Sequence, residues 1–196
     1  MNDAADLQPR DLRIFKEHFL SLEQDFINTI PFVEVHPKNF DAFSTQYLKL
    51  ILAVGAEIDV VTRLLAQRCN PNKQFRGMKG RSEAIYSKYD LFHFAAVKPQ
   101  DKLLAIGLEG AGLAPWGVWF PGEININGQV QKNISKEPDW WTAYNELKHH
   151  RHLNFEKANQ KTAMDSMAAL FIAIKYLYID VGSSPHRFEG TFFKLA

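Results

Sequence analysis

Apolar residues recur at steps of three and four in three long stretches, and this spacing predicts three long helices. The first is expected from Pro9 to about Asn28, the second from a Ser44 N-cap to about Cys69, and the third from near Phe155 to about Ile179. The second has the most regular apolar line: Tyr47, Ile51, Val54, Ile58, Val61 and Leu65. The third has an apolar face with a polar face opposite: Lys161, Asp165 and Lys175.

A fourth helix is predicted from Trp140 to His152, and it has two distinct faces. Trp140, Tyr144 and Leu147 form an apolar stripe. Asn145, His149 and His152, at i, i+4 and i+7, form a polar stripe. Lys148 and Arg151 lie beside the polar stripe. This helix therefore combines a core-facing side with a cluster of basic residues at its C-terminal end.

The stretch of about 70–137 between the second and fourth helices lacks long apolar periodicity. It is expected to be an irregular insertion with a basic loop at Lys73–Arg81, a short helix at Ser82–Tyr89 and a small β-hairpin around Asn127-Gly128. The fold class expected is all-α: an up-and-down bundle of about four core helices, forming one domain over residues 1–196. Gly107, Gly110 and Gly112 do not follow the Gly-x-Gly-x-x-Gly order, so no dinucleotide cofactor is expected.

Composition narrows the class of protein without naming a function. Hydrophobic residues make up 46% of the chain, which is ample for a packed core. Lys and Arg number 23 against 22 Asp and Glu, so overall charge does not indicate nucleic acid, although a local basic cluster still can. The single cysteine, the acidic first residues and the lack of a long uninterrupted apolar run lead us to expect a cytoplasmic protein with no membrane span.

The basic cluster at Lys148, His149 and Arg151 is open to four interpretations. Histidines three residues apart are compatible with a metal site, but no cysteine or acidic residue at ligand spacing completes it. A histidine can also accept a proton from a ribose 2′-hydroxyl while neighbouring cations hold the phosphate. The same residues are suited to binding phosphate without chemistry. Alternatively, they only stabilise the C-terminus of their helix, where cations offset the dipole by about 0.3–1 kcal/mol each.

Glu57 adds a carboxylate at the margin of the buried face of the second helix, about 60° from its apolar line at 100° per residue. A carboxylate in this position is expected either to pair with a cation from a neighbouring helix or to take part in a site. No cofactor or metal is expected.

Two segments of the chain resemble HEPN-type helical-bundle proteins. The resemblance covers about residues 39–69, with Gly55-Ala56-Glu57-Ile58-Asp59, and about 140–178. The second segment has the pattern Trp140-Trp141-x-x-Tyr144-Asn145-x-x-Lys148-His149-x-Arg151. HEPN ribonucleases carry an Arg, often followed by Asn, and then a His four to six residues later. Here Asn145 and His149 match the Asn and the His, whereas Tyr144 stands in place of the Arg.

This resemblance implies an RNA-directed protein, in one form a metal-independent endoribonuclease of the defence or toxin type, that pairs as a homodimer. In that form His149 is the general base or acid and Asn145 orients it. Lys148 and Arg151 hold phosphate in place of the missing Arg, and Glu57 organises these cations. The alternatives are a non-catalytic helical interaction module, in which the same residues only join helices, and a metal-dependent hydrolase.

Overall fold

The structure, a computed structural model, describes residues 7–89, 97–99, 113–117, 123–126, 129–132 and 137–195. In these residues the main elements are five α-helices: α1 (Leu12–Ile27), α2 (Thr45–Cys69), α3 (Gly77–Lys88), α4 (Asp139–His150) and α5 (Gln160–Asp180). Four short strands accompany them: β1 (Val97–Pro99), β2 (Glu123–Ile126), β3 (Gln129–Lys132) and β4 (Phe193–Leu195). The expected all-α class is therefore confirmed.

The strands form two small antiparallel pairs. β2 pairs with β3, with Glu123 opposite Lys132 and Ile126 opposite Gln129. The two residues of the expected Asn127-Gly128 turn lie outside the described residues. β1 pairs with β4, so a strand from the middle of the chain joins the C-terminal segment.

Helix α5 is the centre of the fold, and α1, α2 and α4 all pack against it. Its buried residues occur on every side of the helix rather than on one stripe, as expected for a helix enclosed by others. α5 is also the one helix in the described residues that is long and apolar enough for a membrane span. However, 78% of its most apolar window is buried inside the protein.

Lys175 of α5 was expected on the solvent-facing polar side of this helix, but it is buried. Its ammonium group donates a hydrogen bond of 2.6 Å to the carbonyl of Pro185 and lies 3.7 Å from a carboxylate oxygen of Glu189. It also lies over the rings of Phe171 and Phe188. Burial lowers the pKa of Lys175, and Glu189 opposes that shift in part. The sequence pattern missed this position because the segment that covers it comes from beyond the end of the helix.

The C-terminal segment is held by a buried carboxylate. Glu23 of α1 is fully buried and accepts backbone hydrogen bonds from Thr191, Phe192 and Phe193 at 2.6, 2.8 and 3.0 Å. A side chain at Gly190 would lie 2.5 Å from the same carboxylate, so the close approach requires glycine. Phe192 and Phe193 are fully buried.

The first residues of α2 and α5 are set by side chains that cap the helix N-terminus. The Ser44 hydroxyl accepts a 3.1 Å hydrogen bond from the amide of Tyr47, which confirms the predicted cap of α2. α5 begins at Gln160 rather than near Phe155, because Asn159 caps it by accepting from the amide of Thr162 at 2.9 Å. The intervening residues form 3₁₀ turns.

The basic loop expected at 73–81 is shorter than predicted, because helix α3 already begins at Gly77. It packs against α2, and Arg81 donates a 2.7 Å hydrogen bond to the carboxylate of Asp59. Part of the expected irregular insertion is therefore a helical layer on α2.

Helices α2 and α4 approach closely at Gly55. A Cβ atom built on Gly55 would lie only 2.2 Å from Cδ2 of the Tyr144 ring. Tyr144 is itself buried and packs on the ring of Trp141, with ring centroids 5.0 Å apart. Only glycine at position 55 lets α4 lie this close to α2.

We predict that Gly55→Ala destabilises the protein. Overpacking costs about 1–3 kcal/mol, and only about 1 kcal/mol is regained from the better helix propensity of alanine. The free energy of unfolding, measured by denaturant titration, should fall. Gly80→Ala in α3 is the matched control, since its nearest contact would be an ordinary 3.9 Å to Phe75, and stability there should hold or rise.

A double-mutant cycle tests the cause of this effect. In a Tyr144→Ala background the ring is gone, so Gly55→Ala should no longer destabilise. If Gly55→Ala lowered the free energy of unfolding equally in the wild-type and Tyr144→Ala backgrounds, the effect would not come from the contact between these two residues.

Candidate functional site

Helix α4 is held by aromatic packing at its N-terminal half. The indole of Trp140 donates a 2.8 Å hydrogen bond to the carbonyl of Pro115, and its ring packs edge-to-face on Trp116 with centroids 5.2 Å apart. The Trp116 indole in turn donates to the carbonyl of Ala169 in α5. These contacts fix which side of α4 is buried and leave its C-terminal end at the surface.

A surface pocket of about 270 Å³ lies at this end of α4. Its floor includes Leu52 of α2 and Leu147 of α4. The other lining residues are all basic and exposed: Lys148, His149, Arg151 and His152. We call these four residues the basic cluster. The predicted site residues Lys148, His149 and Arg151 are thus brought together in one pocket.

The basic cluster is not neutralised by carboxylates in the part of the chain that the structure describes. None of its four members forms an ion pair there. The nearby carboxylate of Glu146 pairs instead with Lys157. Positive charge at the pocket therefore remains available to an anionic ligand.

The end of α4 changes the expected arrangement of the histidines. The α-helix stops at His150, and Arg151–Leu153 form a 3₁₀ turn. His152 therefore does not continue the predicted polar stripe at i+7. It lines the pocket from the 3₁₀ turn, whereas His149 lines it from the α-helix.

Tyr144, where the HEPN resemblance leads us to expect an Arg, is a packing residue. Its ring is buried between Trp141 and Gly55. The ammonium group of Lys148, one helical turn later, lies 5.5 Å from the centroid of this ring. A cation over an aromatic face is attracted by the ring quadrupole, so Tyr144 helps to place Lys148.

Asn145 is half-buried and does not line the pocket. It lies on α4 four residues before His149, so the two residues share a helix face. This placement allows Asn145 to support His149 but does not bring it to a ligand in the pocket.

Glu57 does not line the pocket of the basic cluster and contacts α1 instead, which agrees with the first of its two expected roles, pairing with a group from a neighbouring helix. Its carboxylate is 3.2 Å from Nδ1 of His18 on α1, with side-chain exposures of 14% for Glu57 and 47% for His18. Five residues separate Glu57 from Leu52, so the two point about 140° apart around α2. Leu52 faces the pocket, and Glu57 faces α1.

A second charged cluster, which no sequence pattern predicts, joins the ends of three helices. The Asp180 carboxylate at the end of α5 is 1% exposed and accepts from Arg68 of α2, from Lys88 of α3 at 2.5 Å, and from the Tyr89 hydroxyl at 2.7 Å. The three donors lie 91 to 112 residues before Asp180 in sequence, so no local pattern connects them to it.

The pKa values in this second cluster indicate a structural role. Burial alone would raise the pKa of Asp180, but hydrogen bonds from Lys88, Tyr89 and Arg68 outweigh it and hold the pKa below its usual range. Burial, followed by the hydrogen bond to Asp180, raises the pKa of Tyr89. Burial and Asp180 raise the pKa of Cys69 to about 11, so this cysteine is a thiol at neutral pH and a poor nucleophile.

A larger groove of about 560 Å³ lies between α1 and α2. Its lining is mainly apolar, including Leu22, Phe32, Val33 and Leu50, with isolated charges at Asp25 and Lys49. It lacks the convergence of like charges that distinguishes the basic cluster. We therefore take the smaller pocket as the candidate functional site.

The described residues contain no group of three or more His, Cys, Asp or Glu side chains placed to hold a metal ion. The cations Lys148 and Arg151 in the pocket would also repel one. The chemistry open to these residues is proton transfer by histidine and phosphate binding by lysine and arginine.

Comparison of the chain with protein-family models, with curated proteins and with solved structures found no match. The class that the fold and the pocket define is therefore an all-α protein with an exposed basic pocket at the end of a buried aromatic helix.

We predict that Asp180→Asn lowers the free energy of unfolding at pH 7 by on the order of 3 kcal/mol, because a buried ion network loses its anion. The pKa of this group is lower in the folded than in the unfolded protein. Its stabilisation is thus complete above the unfolded value of about 4 and is lost as the pH falls through the folded value. The difference between variant and wild type should therefore shrink in acid, as measured by urea titration at several pH values.

Asp165→Asn is the control. Burial raises the pKa of Asp165, an effect that its Lys161 partner only partly offsets, so the charged form is disfavoured in the folded state. This variant should not lose stability at pH 7. An equal loss in both variants would contradict the assignment of Asp180 as a structural anion.

Proposed function

We propose that this chain is a HEPN-like RNA-directed protein that binds RNA phosphates through its basic cluster. The observation that carries the proposal is the convergence of four exposed basic side chains, Lys148, His149, Arg151 and His152, on one pocket. No ion pair occupies them within the described residues. Charges that stabilise a fold are normally paired, as Asp180 is, whereas unpaired cations around a concave surface suit an anionic ligand.

The pocket is suited to the phosphate–ribose backbone rather than to base edges. Arg151 offers a planar fork of donors and Lys148 a point charge, and both are common phosphate ligands in proteins. Each phosphate that is neutralised releases a condensed counterion, so binding by this surface should depend strongly on salt.

The same pocket supports metal-independent cleavage as the catalytic form of this function. In this mechanism His149 accepts the proton of a ribose 2′-hydroxyl, whose oxygen attacks the adjacent phosphorus. The bond from phosphorus to the 5′-oxygen breaks, and His152 donates a proton to that oxygen. Lys148 and Arg151 stabilise the charge that develops on the phosphate oxygens.

The placement of Lys148 supports this catalytic form despite the substitution at Tyr144. The HEPN-like pattern has a cation at position 144, and here the cation is found one turn later, over the Tyr144 ring and at the pocket. Asn145 is proposed to orient His149 from the same helix face.

A non-catalytic binding module is the second candidate, and two observations favour it. Asn145 does not line the pocket, and Glu57 faces α1 instead of the basic cluster. Both candidates require phosphate binding, and only the first requires cleavage.

Three further features belong to this proposal. The helices α1, α2, α4 and α5 are proposed to form an up-and-down bundle. The protein is proposed to act in the cytoplasm, which its single cysteine suits, and as a homodimer, which the HEPN resemblance implies.

We predict that Lys148→Ala/Arg151→Ala weakens binding of a short RNA at least about tenfold. The log–log slope of affinity against salt should become shallower by about 1.4, because two phosphate contacts at about 0.7 each are lost. Fluorescence anisotropy over a series of salt concentrations measures both quantities.

The charge-matched control is Arg13→Ala/Lys38→Ala, which removes two exposed cations outside the pocket. It should leave affinity and slope nearly unchanged. If both double variants weaken binding equally, the RNA does not bind at the basic cluster.

We predict that His149→Gln slows RNA cleavage by about 10²–10⁴-fold while leaving RNA affinity within about threefold, because a general base is lost but the phosphate-binding cations remain. Cleavage is measured with end-labelled RNA in the presence of EDTA, which should have no effect. A substrate with a single 2′-deoxy position should bind but resist cleavage at that position. RNA binding by wild type without any cleavage would instead support the non-catalytic module.

A further inference from the structure

We propose that Phe43 and Phe155 form a base-stacking subsite beside the basic cluster, so that the site takes unpaired rather than duplex RNA. This inference rests on the proposed RNA binding and adds the class of substrate. Phe43 lies two residues before the first residue of α2. Phe155 begins the second of the two 3₁₀ turns between α4 and α5, Phe155–Lys157.

The two rings form a partly exposed aromatic pair. Their centroids are 5.7 Å apart, and the ring planes meet at 81°. Phe43 is 54% exposed, although it is a large apolar side chain. An edge-to-face pair leaves ring surface uncovered, and at Phe43 this surface is open to solvent.

The backbone beneath the pair is fixed rather than free. Phe43 forms an antiparallel bridge with Asn159. The amide of Ser44 donates to the carbonyl of Ala158, and the amide of Gln160 donates to the carbonyl of Ala42, each at 3.0 Å. An exposed aromatic ring on a fixed backbone loses little entropy when a ligand stacks on it.

The aromatic pair lies close to the phosphate-binding residues. Three residues separate Phe155 from His152, so their Cα atoms are at most about 11 Å apart. At about 3.4 Å per nucleotide, about three nucleotides of one strand span this distance. The Phe43 ring centroid lies a further 5.7 Å from that of Phe155. Leu153, between them, is 70% exposed and adds apolar surface. A strand whose phosphate lies in the pocket can therefore place a nearby base on the Phe43 ring.

The combination of cations and an exposed aromatic ring favours single-stranded nucleic acid. Every base has a π-face that can stack on an aromatic side chain, but in a duplex these faces are covered by neighbouring bases. An anionic membrane would also attract the cations. Interfacial membrane binding normally uses an extended apolar helix face, whereas the apolar surface here consists of Phe43, Phe155 and Leu153.

The first test is Phe43→Ala in full-length protein, with a 12-nucleotide single-stranded RNA as the probe. We expect about tenfold weaker binding, the effect of losing one stacked base. The salt slope should not change, because no phosphate contact is lost. Phe32→Ala is the matched control, since Phe32 is 87% exposed and lines the groove between α1 and α2. Phe43→Tyr should retain wild-type affinity. Thermal melting should show all three variants folded.

The second test measures base stacking at position 43 by fluorescence quenching. In Phe43→Trp the added indole fluorescence, taken as the difference from wild type, should be quenched by the single-stranded RNA. An abasic oligomer of the same length and charge should bind more weakly and cause little quenching. The duplex form of the RNA should also bind more weakly than the single strand.

The outcomes separate this inference from the proposed function. Equal affinities of Phe43→Ala and Phe32→Ala, or equal binding of abasic and base-bearing oligomers, would overturn the subsite while RNA binding through Lys148 and Arg151 stands. No RNA binding by wild type would overturn both. If Phe43→Ala reduces binding to vesicles with about one quarter anionic lipid but leaves RNA affinity unchanged, the surface is a membrane contact and the subsite is rejected.

Discussion

The close contact of Tyr144 with Gly55 is the constraint on which the candidate site depends. It brings α4 against α2, and from there the geometry of the pocket follows. Leu147 and Lys148, one turn beyond Tyr144, meet Leu52, one turn before Gly55 on α2. The buried half of α4 thus determines where its basic end lies. Tyr144, at the position where the HEPN resemblance leads us to expect an arginine, is the packing contact that helps to place the ammonium group of Lys148.

The charged side chains of this protein fall into two groups, one buried with hydrogen-bond partners and one exposed without ion pairs among the described residues. Glu23 is buried with three backbone donors, Lys175 with a carbonyl and two aromatic rings, and Asp180 with three side-chain donors. Removing such a charge from water is costly, and only full pairing makes it tolerable. The basic cluster is the opposite case: its two cations, Lys148 and Arg151, and its two histidines are exposed and form no ion pair among the described residues. The first group secures helix ends and the C-terminal segment. In the second group, Lys148 lies over the ring of Tyr144 and remains exposed to solvent.

The proposed RNA surface combines elements that are distant in sequence. The proposed phosphate-binding residues lie at and just after the end of α4, whereas Phe43 lies just before α2. Both are brought to one side because the segment between α4 and α5 pairs with the backbone around Phe43. A strand of RNA would accordingly contact charge and aromatic surface on one rigid support, which favours binding without large rearrangement.

Periodicity in the sequence determined the all-α class, the Ser44 cap of α2 and the apolar stripe of α4. It also indicated that Lys148, His149 and Arg151 lie together, since they are neighbours on one short segment. The partner of Glu57, the burial of Lys175 and the Asp180 cluster were decided only by tertiary structure. The physical reason is that the spacing of apolar residues reports which side of a helix is buried. It does not report which other segment covers the remaining sides, and that choice depends on contacts between residues far apart in the chain.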